Sequence, residues 1–229
     1  PPVAGVVSYT GGFVNATGVL LNYTTGSDAD SGVGRIQFQR RQAGLANGSC
    51  GGFGTWGNVG LPSPGSPYLD TTIASGKCYE YRIVTYDNVE NFTPSAGGPD
   101  VMIDTTQPVG SIDAVAPFIS GSNFQFNGTA SDLHSGLLRV DLTYSGPESG
   151  SICTNPPSPA TWSCTWDTTS VGDGSYEIRL AVTDFAGNVT SPPITRTVLV
   201  DNQAPVVMGV SFTELTNAQY TQVNGGVMY

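Results

Sequence analysis

Asp173-Gly174-Ser175-Tyr176-Glu177-Ile178-Arg179-Leu180-Ala181-Val182-Thr183-Asp184-Phe185-Ala186-Gly187-Asn188-Val189-Thr190 decides the fold. Tyr176, Ile178, Leu180 and Val182 alternate with Glu177, Arg179, Ala181 and Thr183. A period of two predicts a strand with one buried face. Asp173-Gly174 before it and Ala186-Gly187-Asn188 after it are turn chemistry. Working outward, the same grammar recurs. Leu138, Val140 and Leu142 alternate with polar residues, as do Tyr79, Tyr81, Ile83 and Thr85, and Ile36 and Phe38 begin a matching strand. Gly11-Gly12, Ser31-Gly32, Pro64-Gly65 and Ser135-Gly136 punctuate them. No segment carries apolar spacing of three and four over a helical length. The expectation is all-β, with antiparallel sandwiches and almost no helix.

The chain also repeats itself. Ser27-Asp28-Ala29-Asp30-Ser31-Gly32 is answered by Ser131-Asp132-Leu133-His134-Ser135-Gly136. Asp87 to Thr93 is answered by Asp184 to Thr190, and Asp104-Thr105-Thr106-Gln107-Pro108-Val109 by Asp201-Asn202-Gln203-Ala204-Pro205-Val206. A period of about 100 residues is one domain length. The predicted organisation is therefore one repeat at 1–104, a second at 105–201, and the opening strands of a third, incomplete repeat at 202–229. Regions 42–67 and 145–160, rich in Gly, Ser and Pro, read as long loops.

Composition narrows the class of function. A net charge of −10 gives nothing to neutralise phosphates, which excludes nucleic acid as a partner. No apolar run is long enough to span a membrane. The cysteines fall two per repeat, Cys50 with Cys78 and Cys153 with Cys164, so one disulfide in each is expected, in an oxidising, extracellular or cell-surface setting. None of the spacings is C-x-x-C and His134 is the single histidine, which leaves no zinc set. Six Asn-x-Ser/Thr sequons, at Asn15, Asn22, Asn47, Asn91, Asn127 and Asn188, are candidate glycosylation positions.

Ser131 to Gly136, an alternating strand, Trp162 or Trp166, then Asp173 to Thr190 and Val200 to Pro205 form an ordered set of motifs. That set resembles the bacterial immunoglobulin-like (Ig-like or fibronectin III-like) tandem repeats of large cell-surface and adhesin-type proteins. The match covers residues 105–205 well and 1–104 more loosely. The resemblance implies extender or stalk modules, some of which bind calcium at domain boundaries.

Calcium is accordingly the one cofactor expected. Its hard-oxygen preference points to Asp28, Asp30, Asp87 and Asp104 at one junction, and more weakly to Asp132, Asp184 and Asp201, although Asp and Asn also cap turns through their own backbone. His134 reads as a solvated loop residue. Trp56, Trp162, Trp166, Tyr79, Tyr81 and Tyr176 read as core. No catalytic constellation is visible, so the expectation is a non-enzyme: a structural segment of an extracellular fibre, stalk or adhesin, with adjacent repeats or neighbouring copies as partners. The alternative is a carbohydrate- or receptor-binding module, attached in one version to a secreted hydrolase. An exposed aromatic patch would mark it.

Overall fold

The computed structural model describes residues 1–155 and 160–206. The expected opening of a third repeat lies, from residue 207 onward, outside the described residues.

Residues up to Ile103 build one sandwich. Its strands are β1 (Val6–Ser8), β2 (Gly12–Val14), β3 (Val19–Thr24), β4 (Val33–Ala46), β5 (Ser49–Cys50), β6 (Gly57–Val59), β7 (Tyr68–Asp70), β8 (Lys77–Asp87), β9 (Phe92–Pro94) and β10 (Val101–Ile103). One sheet runs β1-β3-β7. The other runs β2-β10-β8-β4-β5, with β6 on β4 and β9 on β8. The alternation read from the sequence is the packing itself. Tyr79, Tyr81, Ile83, Ile36 and Phe38 face Val7, Val19 and Leu21 across the core.

From Val109 a second sandwich follows: β11 (Val109–Ile112), β12 (Phe118–Ile119), β13 (Phe124–Ser131), β14 (Leu137–Ser145), β15 (Ser149–Asn155), β16 (Ala160–Trp166), β17 (Gly174–Asp184) and β18 (Ile194–Val200). Its sheets are β11-β13-β16 and β12-β18-β17-β14-β15. Phe126, Trp162, Trp166, Tyr176, Ile178, Leu180 and Val182 fill its core. The fold is all-β. Among the described residues the one helical element is a single turn, Thr168–Ser170, and none is long and apolar enough to cross a membrane.

Both disulfides form within a sandwich. Cys50–Cys78 joins β5 to β8, and Cys153–Cys164 joins β15 to β16 across the two sheets, with Cα separations of 5.8 and 5.9 Å.

Three expectations are corrected. Regions 42–67 and 145–160 are not simply loops. β4 continues to Ala46, and Asn47-Gly48, at φ 48° and 74°, closes a two-residue hairpin onto β5. A left-handed pair is what such a turn requires, and Asn-Gly supplies it. In the second region β14 pairs with β15 through a bulge between Leu142 and Thr143. Trp56 is the third correction. It is half-exposed on the outer side of β4 and β8, stacked against Arg41 and Arg82, while Trp162 and Trp166 are buried as expected.

Candidate metal centre at the sandwich junction

Each repeat places an aspartate in the Ser-Asp-x-x-Ser-Gly loop, where Oδ1 caps the turn. Asp28 Oδ1 accepts from the amides of Asp30, Ser31 and Gly32 at 3.2, 2.7 and 3.0 Å. Asp132 Oδ1 accepts from His134 and Gly136 at 3.0 and 2.8 Å. A second aspartate ends the long central strand. Asp87 accepts from the Asn91 amide at 2.8 Å and from its Nδ2 at 2.7 Å. Asp184 accepts from the Asn188 amide and Nδ2 at the same two distances. These are turn bonds of the ordinary Asx kind.

What differs is the third carboxylate. Asp104 leaves β10 and is fully buried. Its Oδ1 accepts from Thr106 N at 2.9 Å, and its Oδ2 from Ser135 N of the second sandwich at 2.9 Å. One oxygen each from Asp104, Asp132 and Asp184 lie within 4.8 Å of one another. Asp184 is fully buried as well.

The partition expected from the sequence is therefore not the one found. Asp104 sits with Asp132 and Asp184, not with Asp28, Asp30 and Asp87. The reason is strand length. Ile103 pairs with Lys77 at one end of β8, and Asp87 closes the other end of this 11-residue strand. Such a strand spans roughly 35 Å. Asp28 and Asp87 do share a pole, where Asn88 Nδ2 donates to the Ser31 carbonyl at 2.6 Å. Asp30 is exposed beside them, and Asp201 is exposed after β18, its Oδ1 accepting from Gln203 N at 3.1 Å.

The electrostatics of the trio are unbalanced. Burial pushes the Asp184 carboxyl above its usual range, and the charges of Asp104 and Asp132 push it further the same way. For Asp104 burial acts upward too, but hydrogen bonds from Ser135 and Thr106 outweigh it and bring the carboxyl below its usual value. His134 Nδ1 lies 3.4 Å from Asp104 Oδ1 and 3.2 Å from Thr106 Oγ1. Its ring packs against Gly76, where an added Cβ would collide with Nε2 at 2.6 Å. The solvated loop residue expected at 134 is thus part of the junction. Asp132 Oδ2 is buried without a hydrogen-bond partner. Three converging carboxylates with one orphaned oxygen suit a hard divalent cation, and calcium takes six to eight oxygens. The set is compatible with calcium, with Asp104, Asp132 and Asp184 as the anionic ligands.

Around the carboxylates the two sandwiches are bonded directly. Gly48 N donates to the His134 carbonyl at 2.8 Å and Asn47 N to that of Leu133 at 3.3 Å. Asn188 Nδ2 donates to the Asp104 carbonyl at 3.0 Å. Phe13 stacks on Phe185 with centroids 5.7 Å apart. The Asn47-Gly48 hairpin was missed inside the region read as a loop, although Asn-Gly between two strands is the signal that could have found it. Of the sequons, Asn188 is buried with its amide nitrogen engaged twice, whereas Asn15, Asn22, Asn47, Asn91 and Asn127 are exposed.

No family model and no curated protein matches the chain. Solved structures do. The fibronectin(III)-like modules of Clostridium thermocellum CbhA align over 86% of this chain and 94% of theirs, at 17% identity and a TM-score of 0.42. A tetra-tandem repeat from the extending region of a large adhesion protein aligns over 85% of this chain and 49% of its own, at 19% identity and 0.40. A Ca2+-stabilized adhesin that helps an Antarctic bacterium reach out and bind ice aligns over 89% and 51%, at 16% identity and 0.39. Fibronectin III-like modules and bacterial adhesin repeats are thus what this chain is similar to among solved structures.

Proposed function

We propose that the chain is a rigid structural segment of an extracellular, adhesin-like fibre or stalk, whose sandwiches are locked end to end by a calcium ion at the linker. The observation that carries this is the burial of Asp104. A flexible tether keeps its charges in water. Here the linker carboxylate is fully buried and accepts a hydrogen bond from the next sandwich. A cation at Asp104, Asp132 and Asp184 would tie the linker and two loops of the second sandwich into one body. Direct bonds from Asn47, Gly48 and Asn188 then resist bending on two sides. Two disulfides suit an oxidising exterior. The partners of such a segment are adjacent repeats, and the mechanism is mechanical projection.

Backbone 15N relaxation in saturating calcium tests the reading. The expected result is a single rotational diffusion tensor for both sandwiches, loosened by a chelator. Two independent, faster correlation times in calcium would refute the rigid segment.

A further inference from the structure

The outer face of β4 and β8 carries an arrangement that the spacer role does not use. Odd residues of β4 and even residues of β8 face away from the main core, and at one end of this face Ala43, Leu45 and Cys78 form a small buried cluster of their own. Register sets Arg41 opposite Glu80 and Gln39 opposite Arg82. The segment after the Asn47-Gly48 hairpin folds back and lays Trp56 and Phe53 on this face. The Arg41 guanidinium sits 5.1 Å from the Phe53 centroid and 4.9 Å from Trp56, and that of Arg82 sits 4.4 Å from Trp56. The second sandwich has no such ladder among its described residues.

The charges here do not cancel. Arg35, Arg40, Arg41, Arg139 and Arg179 each meet a carboxylate. Arg82 meets none. Its Nε and Nη2 donate to the neutral Gln39 Oε1 at 2.9 and 2.7 Å, and among the described residues its Nη1 meets no acceptor. Arg41 spends Nε on Glu80 at 2.5 Å and keeps both terminal nitrogens. Two guanidiniums thus stand beside a single carboxylate, Glu80, which bonds only Arg41, on a molecule whose net charge is −10. Burial and the neighbouring Arg41 both act against the charge of Arg82.

We propose that this face binds an anionic saccharide, with Arg82 and Arg41 holding a uronate or sulfate group and Trp56 packing against the sugar ring. Unspent guanidinium donors form charge-assisted bonds to planar or tetrahedral anions. Aromatic surface beside them takes the C–H face of a ring, and the Gln39 and Asn58 amides lie in the same row to meet hydroxyls. An acidic peptide fits less well. Peptides add to sheets through a free edge, and β4 is already paired on both sides, by β8 and β6.

The test is a titration of the full chain, read by 15N–1H shifts and tryptophan fluorescence. The probes are oligogalacturonate, a heparin-derived hexasaccharide, neutral cellohexaose and oligoglutamate. Uronate or sulfate binding that perturbs Trp56, weakens with salt, and falls tenfold or more in Arg82→Gln supports the proposal. Arg179→Gln on the second sandwich is expected to leave it unchanged. Binding of neither anionic sugar, binding indifferent to Arg82→Gln, or equal binding of oligoglutamate overturns it. The thermal melt of Arg82→Gln confirms that the variant is folded, and Trp56→Leu provides a second, uncharged substitution at the same site.

Discussion

Asn188 Nδ2 donates to the backbone carbonyl of Asp104 at 3.0 Å, across 84 residues, and to Asp184 Oδ2 at 2.7 Å. One amide therefore holds the linker backbone and the end of β17 together. Its counterpart in the first sandwich, Asn91, does only the second task, donating to Asp87 Oδ2. The difference between a turn and a joint is that one extra bond.

Asn188→Ala is expected to destabilise the second sandwich by about 2 kcal/mol, since it leaves a buried carbonyl and a buried carboxylate oxygen without that donor. It should also uncouple the two sandwiches. Asn91→Ala, at an exposed turn, should cost less and leave the coupling intact. Thermal melts give the first quantity and 15N relaxation the second. Equal effects of the two variants on coupling would remove Asn188 from the joint.

Calcium should raise the melting temperature, because binding to the native state alone adds about 2.7 kcal/mol at a hundredfold excess over Kd. For a sandwich of this size that is on the order of 10 °C. Asp132→Asn separates the two roles of that residue. Oδ1 still caps the turn to His134 and Gly136, while the orphaned Oδ2 becomes a neutral donor. In chelator the variant should match or exceed the parent, because one of three crowded carboxylates is gone. In calcium it should gain nothing. The sign for Asp184 agrees. Its raised pKa means the folded state holds the proton more tightly, so its contribution to stability falls as pH rises through that value, and calcium offsets the loss.

The architecture was legible because it is written twice. Period-two runs and turn dipeptides define strands locally, and the repeated Ser-Asp-x-x-Ser-Gly loop marks the entry to the same long central strand, β4 or β14, in each sandwich. The grouping of the aspartates was not legible. Asp104 is close in sequence to the first repeat, yet β10 leaves it beside the start of β8, at the opposite pole from Asp87, where the second repeat's loops are near. Trp56 was misread for a related reason. Burial depends on which side of β4 the segment crosses, and pairing of Val59 with Phe38 turns Val59 inward and Trp56 outward.

Acid should unfold the first sandwich through Asp70. This buried carboxylate accepts from Tyr81 Oη at 2.8 Å, Arg40 Nη1 at 2.6 Å, and Thr72 N and Oγ1 at 2.9 and 2.6 Å. Burial alone would raise its pKa, but these donors outweigh it and bring the value below 3.8. A depressed folded-state pKa gives stability that is present above the ordinary carboxylate range and lost as pH falls below it. Asp70→Asn should cost about 3 kcal/mol at pH 7, because Arg40 is left without its partner. It should also flatten the acid limb between pH 5 and pH 2 (about the range over which such a group titrates). Urea titrations across that range, read at β8 amides, measure both. An unchanged acid limb in the variant would reassign the acid sensitivity to other carboxylates.

The two disulfides should differ in what their loss does to the joint. In the chain-entropy account, closing 28 residues at Cys50–Cys78 and 11 at Cys153–Cys164 contributes about 3.5 and about 3 kcal/mol. By that measure they are nearly equal. Their positions are not. Cys153–Cys164 ties the sheets of the second sandwich to each other, far along β15 and β16 from the linker. Cys50 lies two residues after Gly48 of the Asn47-Gly48 turn, whose amides reach Leu133 and His134. Cys50–Cys78 packs with Phe13, Phe53, Ala43, Leu45 and Met102, and Phe13 stacks on Phe185 of the second sandwich. Replacing Cys50 and Cys78 with alanine should therefore lower the stability of the first sandwich and also free the hairpin that braces the junction. The Cys153 and Cys164 double variant should lower the second sandwich alone. Hydrogen exchange at the Asn47 and Gly48 amides discriminates. These amides should exchange faster in the first variant and at the parental rate in the second. Parental protection of both amides without Cys50–Cys78 would show that the hairpin holds the junction through its backbone bonds alone.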